Sequence, residues 1–205
     1  MPTPPHPIFD AVLLEMPIAV FDLETTGVSS SKDRIIQIAV VPVEDGAVSD
    51  EGWDQLVHPG DDHLPLSPFI SDLTKITDAD LVGQPSMAEV ALEFDALVGE
   101  KVVAGHNVAA FDLRFMRKVE DRHQLELQTD YYVDTMRLMR KLHPDLENHR
   151  LPTCAAYYGL EVDEDGLHNA LVDTKLTADL MLKQFEELSG KGVRTFEQML
   201  GFLTA

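Results

Sequence analysis

The feature that most constrains this chain is a short apolar run, Ile18 to Leu23, that leads directly into two carboxylates, Asp22 and Glu24. A run this short and this apolar reads as a buried strand. Strand residues alternate between faces, so Asp22 and Glu24 project to the same side where the strand leaves the core. Burying neighbouring negative charges is costly unless a cation offsets them. A hard divalent cation such as Mg²⁺ or Mn²⁺ does so, because it prefers oxygen ligands. Taken alone, Asp-x-Glu also fits a solvated strand end closing on a turn at Thr26-Gly27.

The rest of the pattern places that strand in a sheet. Arg34 to Val43 is a second β-branched run, Asp45-Gly46 is a hairpin signal, and Trp53 to Val57 is a third strand ended by Pro59-Gly60. Helical signals follow. Ser67-Pro68 starts a short helix to Lys75, and Ser86 with Glu89 has capping-box spacing ahead of a helix to Val98. Val102 to Ala104 is a fourth short strand, followed by a helix from about Ala109 to His123 and a fifth strand at Tyr131–Val133. Asp134 is placed to cap a helix over Thr135–Leu142, and helices are predicted for Leu151–Tyr158, Asn169–Leu188 and Thr195–Phe202, with Gly190 a suitable C-cap. A three-strand meander followed by alternating helix and strand describes one α/β domain with a mixed, helix-covered sheet. Residues 1–16 read as an N-terminal tail and residues 17–205 as the single domain with a short helical extension.

Composition limits the partners. The chain of 205 residues has 36 acidic against 16 basic side chains, a net charge of −20, which argues against a protein that coats duplex nucleic acid. The charge is uneven, because residues 101–150 hold 9 of the Lys and Arg residues. If a polyanion binds, Arg114, Arg117, Lys118, Arg137, Arg140, Lys141 and Arg150 are the candidate contributors, though each also fits a solvated helix face. Cys154 is the single cysteine, no basic n-region precedes Lys32, and no apolar run is long enough to span a membrane. Those features lead to the expectation of a cytoplasmic protein with no membrane contact.

Two further polar clusters follow short runs. In Gly105-His106-Asn107-Val108-Ala109-Ala110-Phe111-Asp112 a strand ends in a polar turn, Asn107 can cap the next helix, and Asp112 lies in its first turns. In His168-Asn169-Ala170-Leu171-Val172-Asp173 the two outer residues are about 140° apart on a helix, so a shared site needs His168 in the loop before it and Asp173 on its first turn. Each cluster alone also fits a helix cap or a carboxylate near a helix N-terminus. His58-Pro59-Gly60-Asp61-Asp62-His63 lies in a predicted loop and lacks the rigid surroundings of a metal site.

In this order the three clusters resemble the DEDDh 3′→5′ exonucleases, the family that includes the proofreading subunit of bacterial replicative DNA polymerase. Phe-Asp-Leu-Glu-Thr-Thr-Gly at residues 21–27 is similar to the first family motif, His-Asn-x-x-x-Phe-Asp to the second and His-x-x-x-x-Asp to the third. None of Tyr131, Tyr132, Tyr157 and Tyr158 is followed four residues later by Asp, so the histidine type fits and the tyrosine type does not.

The resemblance implies an RNase H-like fold with a five-stranded mixed sheet. It implies two divalent cations, Mg²⁺ or Mn²⁺, held by Asp22, Glu24, Asp112 and Asp173, with His168 as general base. Glu24, Thr25, Thr26 and Asn107 would contact the substrate. The activity it implies is release of 5′-nucleoside monophosphates from single-stranded or frayed DNA 3′ ends in proofreading or repair. RNA trimming, or a catalytically silent nucleic-acid-binding module, are the alternatives. The resemblance fades near Leu188, and the 17 residues after it contain no flexible linker. The expectation is that they dock on the domain and that no polymerase partner is tightly bound.

Overall fold

The computed structural model describes residues 6–162 and 169–205. Its sheet begins with β1 (Ile18–Thr25), β2 (Ile35–Glu44), β3 (Ala47–Val48) and β4 (Trp53–Leu56). Helices α1 (Pro68–Thr74), α2 (Asp78–Leu81) and α3 (Met87–Val98) precede β5 (Val102–Gly105). Then come α4 (Asp112–His123), β6 (Tyr132–Asp134), α5 (Thr135–Leu142), α6 (Leu151–Tyr157), α7 (Ala170–Gly190) and α8 (Phe196–Thr204).

β1 lies inside the sheet, antiparallel to β2 and parallel to β5, with β6 parallel beyond β5. The mixed α/β sheet expected from the sequence is therefore present. It contains one strand more than the five expected, because β3 and β4 both pair with β2 on the side away from β1. The register between Val43↔Val48 and Val40↔Trp53 slips across Ser49–Gly52, so one edge position is filled by an interrupted strand. Asp45 and Gly46, both at positive φ, make the predicted turn.

The alternation along β1 divides the core. Ala19, Phe21 and Leu23 face α3 and α4, packing with Phe94, Leu113 and Met116. Ile18 and Val20 face the other way and pack with Ala178, Met181 and Phe185 of α7. Asp22 and Glu24 continue the α7 face, where half-buried positions replace the fully buried ones.

Local chemistry sets most helix starts. Ser67 accepts from the Ile70 amide, Ser86 and Glu89 form the predicted capping box, and Asn169 accepts from the Leu171 and Val172 amides. Two boundaries differ from expectation. Asn107 is not a helix cap: it adopts φ 66°, its carbonyl accepts the Ala110 and Phe111 amides, and α4 starts only at Asp112. At the other end of α7, Gly190 is still helical and the chain turns at Gly192, φ 84°.

The sequence reading groups residues 1–16 as a tail, yet Pro7–Asp10 form a 3-10 turn, and Leu13 and Met16 are buried beside Phe196 and Met199 of α8. Leu13 N donates to the Arg194 carbonyl and Phe196 N to the Ala11 carbonyl, so the two segments also share backbone hydrogen bonds. Among the described residues no helix is long and apolar enough to cross a membrane. Because Phe196 is fully buried at this junction, Phe196→Ala should lower the unfolding free energy by about 3 kcal/mol. Urea denaturation followed by circular dichroism measures it, and a loss below about 1 kcal/mol would mean that α8 does not dock in solution.

Candidate active site

Three of the predicted acids meet directly. One carboxylate oxygen from each of Asp22, Glu24 and Asp173 lies within 4.8 Å of the others. Asp22 and Glu24 come from the exit of β1, where a register irregularity between Glu24 and Thr25 ends the regular pairing with β2. Asp173 comes from the first turn of α7, held beside β1 by the apolar packing of that helix. Asn169 caps the helix as predicted, which fixes the level of Asp173 against the strand.

Asp112 sits next to this trio as the first residue of α4 and is 2% exposed. Its Oδ1 atom is buried with no hydrogen-bond partner among the described residues. β5 stops at Gly105, so the chain can turn beside β1 there. A Cβ on Gly105 would meet the Phe21 carbonyl at 2.9 Å and Val108 at 3.0 Å, so only glycine lets this turn lie so close. Asp134 fixes the turn from below. Besides capping α5 through the Met136 and Arg137 amides, it accepts from the Asn107 and Ala109 amides at 3.2 Å. His106 adds a second tie, with Nδ1 2.8 Å from Thr135 Oγ1 and Nε2 2.9 Å from the His149 carbonyl.

The electrostatics follow from this crowding. Asp22 and Glu24 are half-buried at the exit of β1. Burial raises Asp22 well above the usual carboxylate range, and Asp112 and Asp173 raise it further, against a stabilising Leu23 amide. Glu24 is pushed up to about 9 by burial, then by Asp22 and Asp173. Asp112 is pushed up to about 8, again chiefly by burial, with backbone amides opposing and Asp134 and Glu24 adding to the rise.

A divalent cation fits this donor set. The ligands are hard carboxylate oxygens, their spacing is close to the span of one Mg²⁺ or Ca²⁺ shell of roughly 4 to 5 Å, and a buried acceptor lies unused beside them.

The remaining predicted residues are placed as follows. Thr25 Oγ1 donates to the Gly27 carbonyl at 2.7 Å, and the Thr26 amide donates to the Arg34 carbonyl at 2.8 Å, which shapes the loop after β1. Asn107 lies in the Asp134-anchored turn. His168 lies outside the described residues. A cleft of about 330 Å³ is walled by Val28, Ser29 and, from either side of Asp112 in the chain, Phe111 and Arg114, and none of the four acids lines it. A larger cavity of about 700 Å³, between residues 6–11 and 128–131, contains none of the four acids. Sequence reasoning assigned Asp134 only a capping role. Its second pair of amides lies 25 and 27 residues away, and no local signal announces them.

The exonuclease family model (RNase_T) matches residues 19–181. This chain belongs to the exonuclease family. The match agrees with the motif resemblance and covers β1, α4 and most of α7, the three elements that carry the acids.

The DNA polymerase III PolC-type protein of Bacillus subtilis (strain 168) is 34% identical over 189 residues, 92% of this chain and 13% of that protein. Its counterpart from Staphylococcus aureus is 35% identical over 184 residues, 90% of this chain and 12% of its own length. The chain thus spans about an eighth of these relatives. Exonuclease X, solved in complex with 5′ overhanging duplex DNA, aligns with TM-score 0.70 and 26% identity over 91% of this chain and 99% of that one. Escherichia coli exonuclease I, solved with a dT13 oligonucleotide, shares the fold at TM-score 0.73 and 21% identity, over 87% and 43%.

The raised carboxylates make stability depend on pH with a definite sign. Glu24 and Asp112 titrate near 4 when unfolded but near 9 and 8 when folded, so the folded state retains protons that the unfolded state has released. Their contribution is complete below about pH 4 and is lost as pH rises through about 8 to 9. In chelator, the melting temperature should therefore fall between about pH 5 and 9. Asp112→Asn or Glu24→Gln should flatten that fall, and added Mg²⁺ or Mn²⁺ should oppose it. Scanning calorimetry across this range measures it, and an unchanged profile in both variants would refute the buried-acid account.

Proposed function

We propose that this exonuclease domain is a divalent-metal-dependent 3′→5′ enzyme that releases 5′-nucleoside monophosphates from single-stranded or frayed DNA ends. The observation that carries the reading is the convergence of Asp22, Glu24 and Asp173 within 4.8 Å, with Asp112 buried beside them. Asp22, Glu24, Asp112 and Asp173 are the side chains that would hold two cations, Mg²⁺ or Mn²⁺. Such ions, when bound, neutralise the acids, lower the pKa of a bound water and stabilise charge on the scissile phosphate.

The chain's own residues do the rest. His168, in its neutral form, takes the proton of the attacking water as its oxygen bonds to phosphorus and the bond to the 3′ oxygen of the penultimate nucleotide breaks. The phosphate stays with the released nucleotide. Glu24 and the Thr25-Thr26 turn hold the terminal sugar, and the cleft between Val28 and Phe111 receives the end of the strand. Asn107 lines the approach to Asp112. Asp134 acts through the turn that it anchors, positioning Asp112 without touching substrate.

DNA is favoured over RNA by the kinds of relative that the chain matches, the DNA polymerase III PolC-type proteins and exonuclease X. Proofreading and repair both fit. The docking of α8 through Phe196 and Met199 favours a domain that does not use residues 191–205 as a tether to a polymerase.

Two expected outcomes test the reading. Asp22→Ala, Glu24→Ala, Asp112→Ala and Asp173→Ala should each reduce hydrolysis of 5′-labelled oligonucleotides by at least about 10³-fold, as should excess chelator, with wild-type product shortening one nucleotide at a time from the 3′ end. Full activity in chelator, or in the Asp22→Ala protein, would sink it. His168→Ala should lose about 10²- to 10⁴-fold in rate while still binding oligonucleotide. The acid limb of the wild-type rate profile, set by a group near pH 6.5, should disappear with the imidazole. An unaltered profile in His168→Ala would remove the general-base assignment.

A further inference from the structure

On the far side of the loop that follows β1 lies a second cleft, of about 370 Å³, between the start of β2, the end of β4 and the C-terminal turn of α4. Arg34, His58, Arg122 and His123 line it, and among the described residues no carboxylate does, although Asp61 Oδ1 stands 3.9 Å from His58 Nε2.

Neutral acceptors hold the two guanidinium groups in place. Arg34 Nη1 donates to the Lys32 and Asp33 carbonyls at 3.1 and 3.0 Å. Arg122 Nη2 donates to the Ser30 and Ser31 carbonyls at 2.7 and 3.3 Å. Neither arginine has a salt bridge among the described residues. The neighbouring acids are engaged elsewhere, Asp33 with the Ser29 amide at 2.8 Å and Asp121 with Lys118 at 2.5 Å. Burial and then the charge of Arg34 lower the pKa of Arg122, with Asp121 opposing them, so the like charges are close enough to repel. Two half-buried guanidinium groups held near each other, neither in a salt bridge among the described residues, suit an anion with oxygens to share, since arginine pairs with phosphate through parallel N–H donors.

Hydrogen bonds link the edge of the cleft to the strand that carries Asp22 and Glu24. Arg34 exchanges backbone and side-chain hydrogen bonds with Thr26, two residues beyond Glu24. Asp112 and Arg122 stand at opposite ends of α4, ten residues and about 15 Å apart at 1.5 Å per residue. At about 3.4 Å per stacked nucleotide, that distance corresponds to roughly four to five nucleotides of one strand.

We infer that Arg34 and Arg122 form a phosphate-binding subsite for the substrate strand several nucleotides upstream of the bond being cut. This deepens the exonuclease reading and rests on it for the direction of the strand. It also gives the acidic chain a local way to hold a polyanion, and it uses two arginines absent from the basic candidates that the sequence suggested.

The test compares d(TpT), too short to reach the subsite, with dT12 in the wild-type chain and in Arg34→Gln, Arg122→Gln and the double variant. Glutamine keeps a donor for the loop carbonyls while removing the charge. The ratio of kcat/KM for dT12 over d(TpT) should fall at least about fivefold per substitution, through KM, and Arg34→Lys should restore part of it. A second arm measures binding of fluorescein-labelled dT12 to the catalytically disabled Asp22→Asn protein, with and without the glutamine changes. Fluorescence anisotropy from about 20 to 200 mM salt should show the slope of log K against log salt shrinking by about 0.7 for each phosphate contact removed. An unchanged ratio and slope would overturn the inference, as would an equal loss on both substrates, which would mark a purely structural role. If the wild-type chain cleaves neither substrate, the exonuclease reading fails, and the anisotropy arm still decides the subsite.

Discussion

Mutual repulsion among four carboxylates at the exit of β1 is the constraint around which the rest of the molecule is arranged. Left to themselves, Asp22, Glu24, Asp112 and Asp173 would separate into solvent or bind protons. The raised pKa values of Asp22, Glu24 and Asp112 record the cost of keeping the acids together. Packing elsewhere offsets that cost. Ile18 and Val20 hold β1 against α7, while Phe21 and Leu23 hold it against α3 and α4. The acids are therefore carried on a strand inside the sheet and on helices packed over its two faces, and a cation is the natural complement to the charge they gather.

The support behind the acids is as informative as the acids. Gly105 allows the turn after β5 to approach the carbonyl of Phe21, and Asp134 gathers four backbone amides from two segments. Both act on Asp112, whose position at the head of α4 depends on a turn in which Asn107 adopts a left-handed conformation. A site of this kind needs its ligands held closely, and the chain places them on helices and strands braced by a second set of contacts.

Net charge and site chemistry point in opposite directions for a nucleic-acid enzyme with 36 acidic residues. The two agree once charge is considered locally. Attacking a strand end needs only a small footprint. In the proposed reading, the cations that the acids would hold, together with Arg34 and Arg122, would supply positive potential along the strand. The bulk of the acidic surface plays no part in that contact.

Much of this was legible without coordinates. The apolar runs at β1 and β2, the Ser67, Ser86–Glu89, Asp134 and Asn169 caps, and the order of the three acidic motifs are local patterns, because strand alternation and helix capping act over a few residues. They determined the α/β class, the family resemblance and the candidate acids. Tertiary structure alone decided what depends on distant partners. Leu13 and Met16, in the segment read as a tail, are buried because they find Phe196 and Met199 nearly two hundred residues later in a shared apolar cluster. The edge strand is split into β3 and β4 by a register slip against β2. Asp134 reaches back to the turn before Asp112, and Arg122 reaches across to Ser30 and Ser31. Local sequence encodes which backbone shapes and side-chain chemistries are available. Which charges meet is fixed only when packing brings separate elements together.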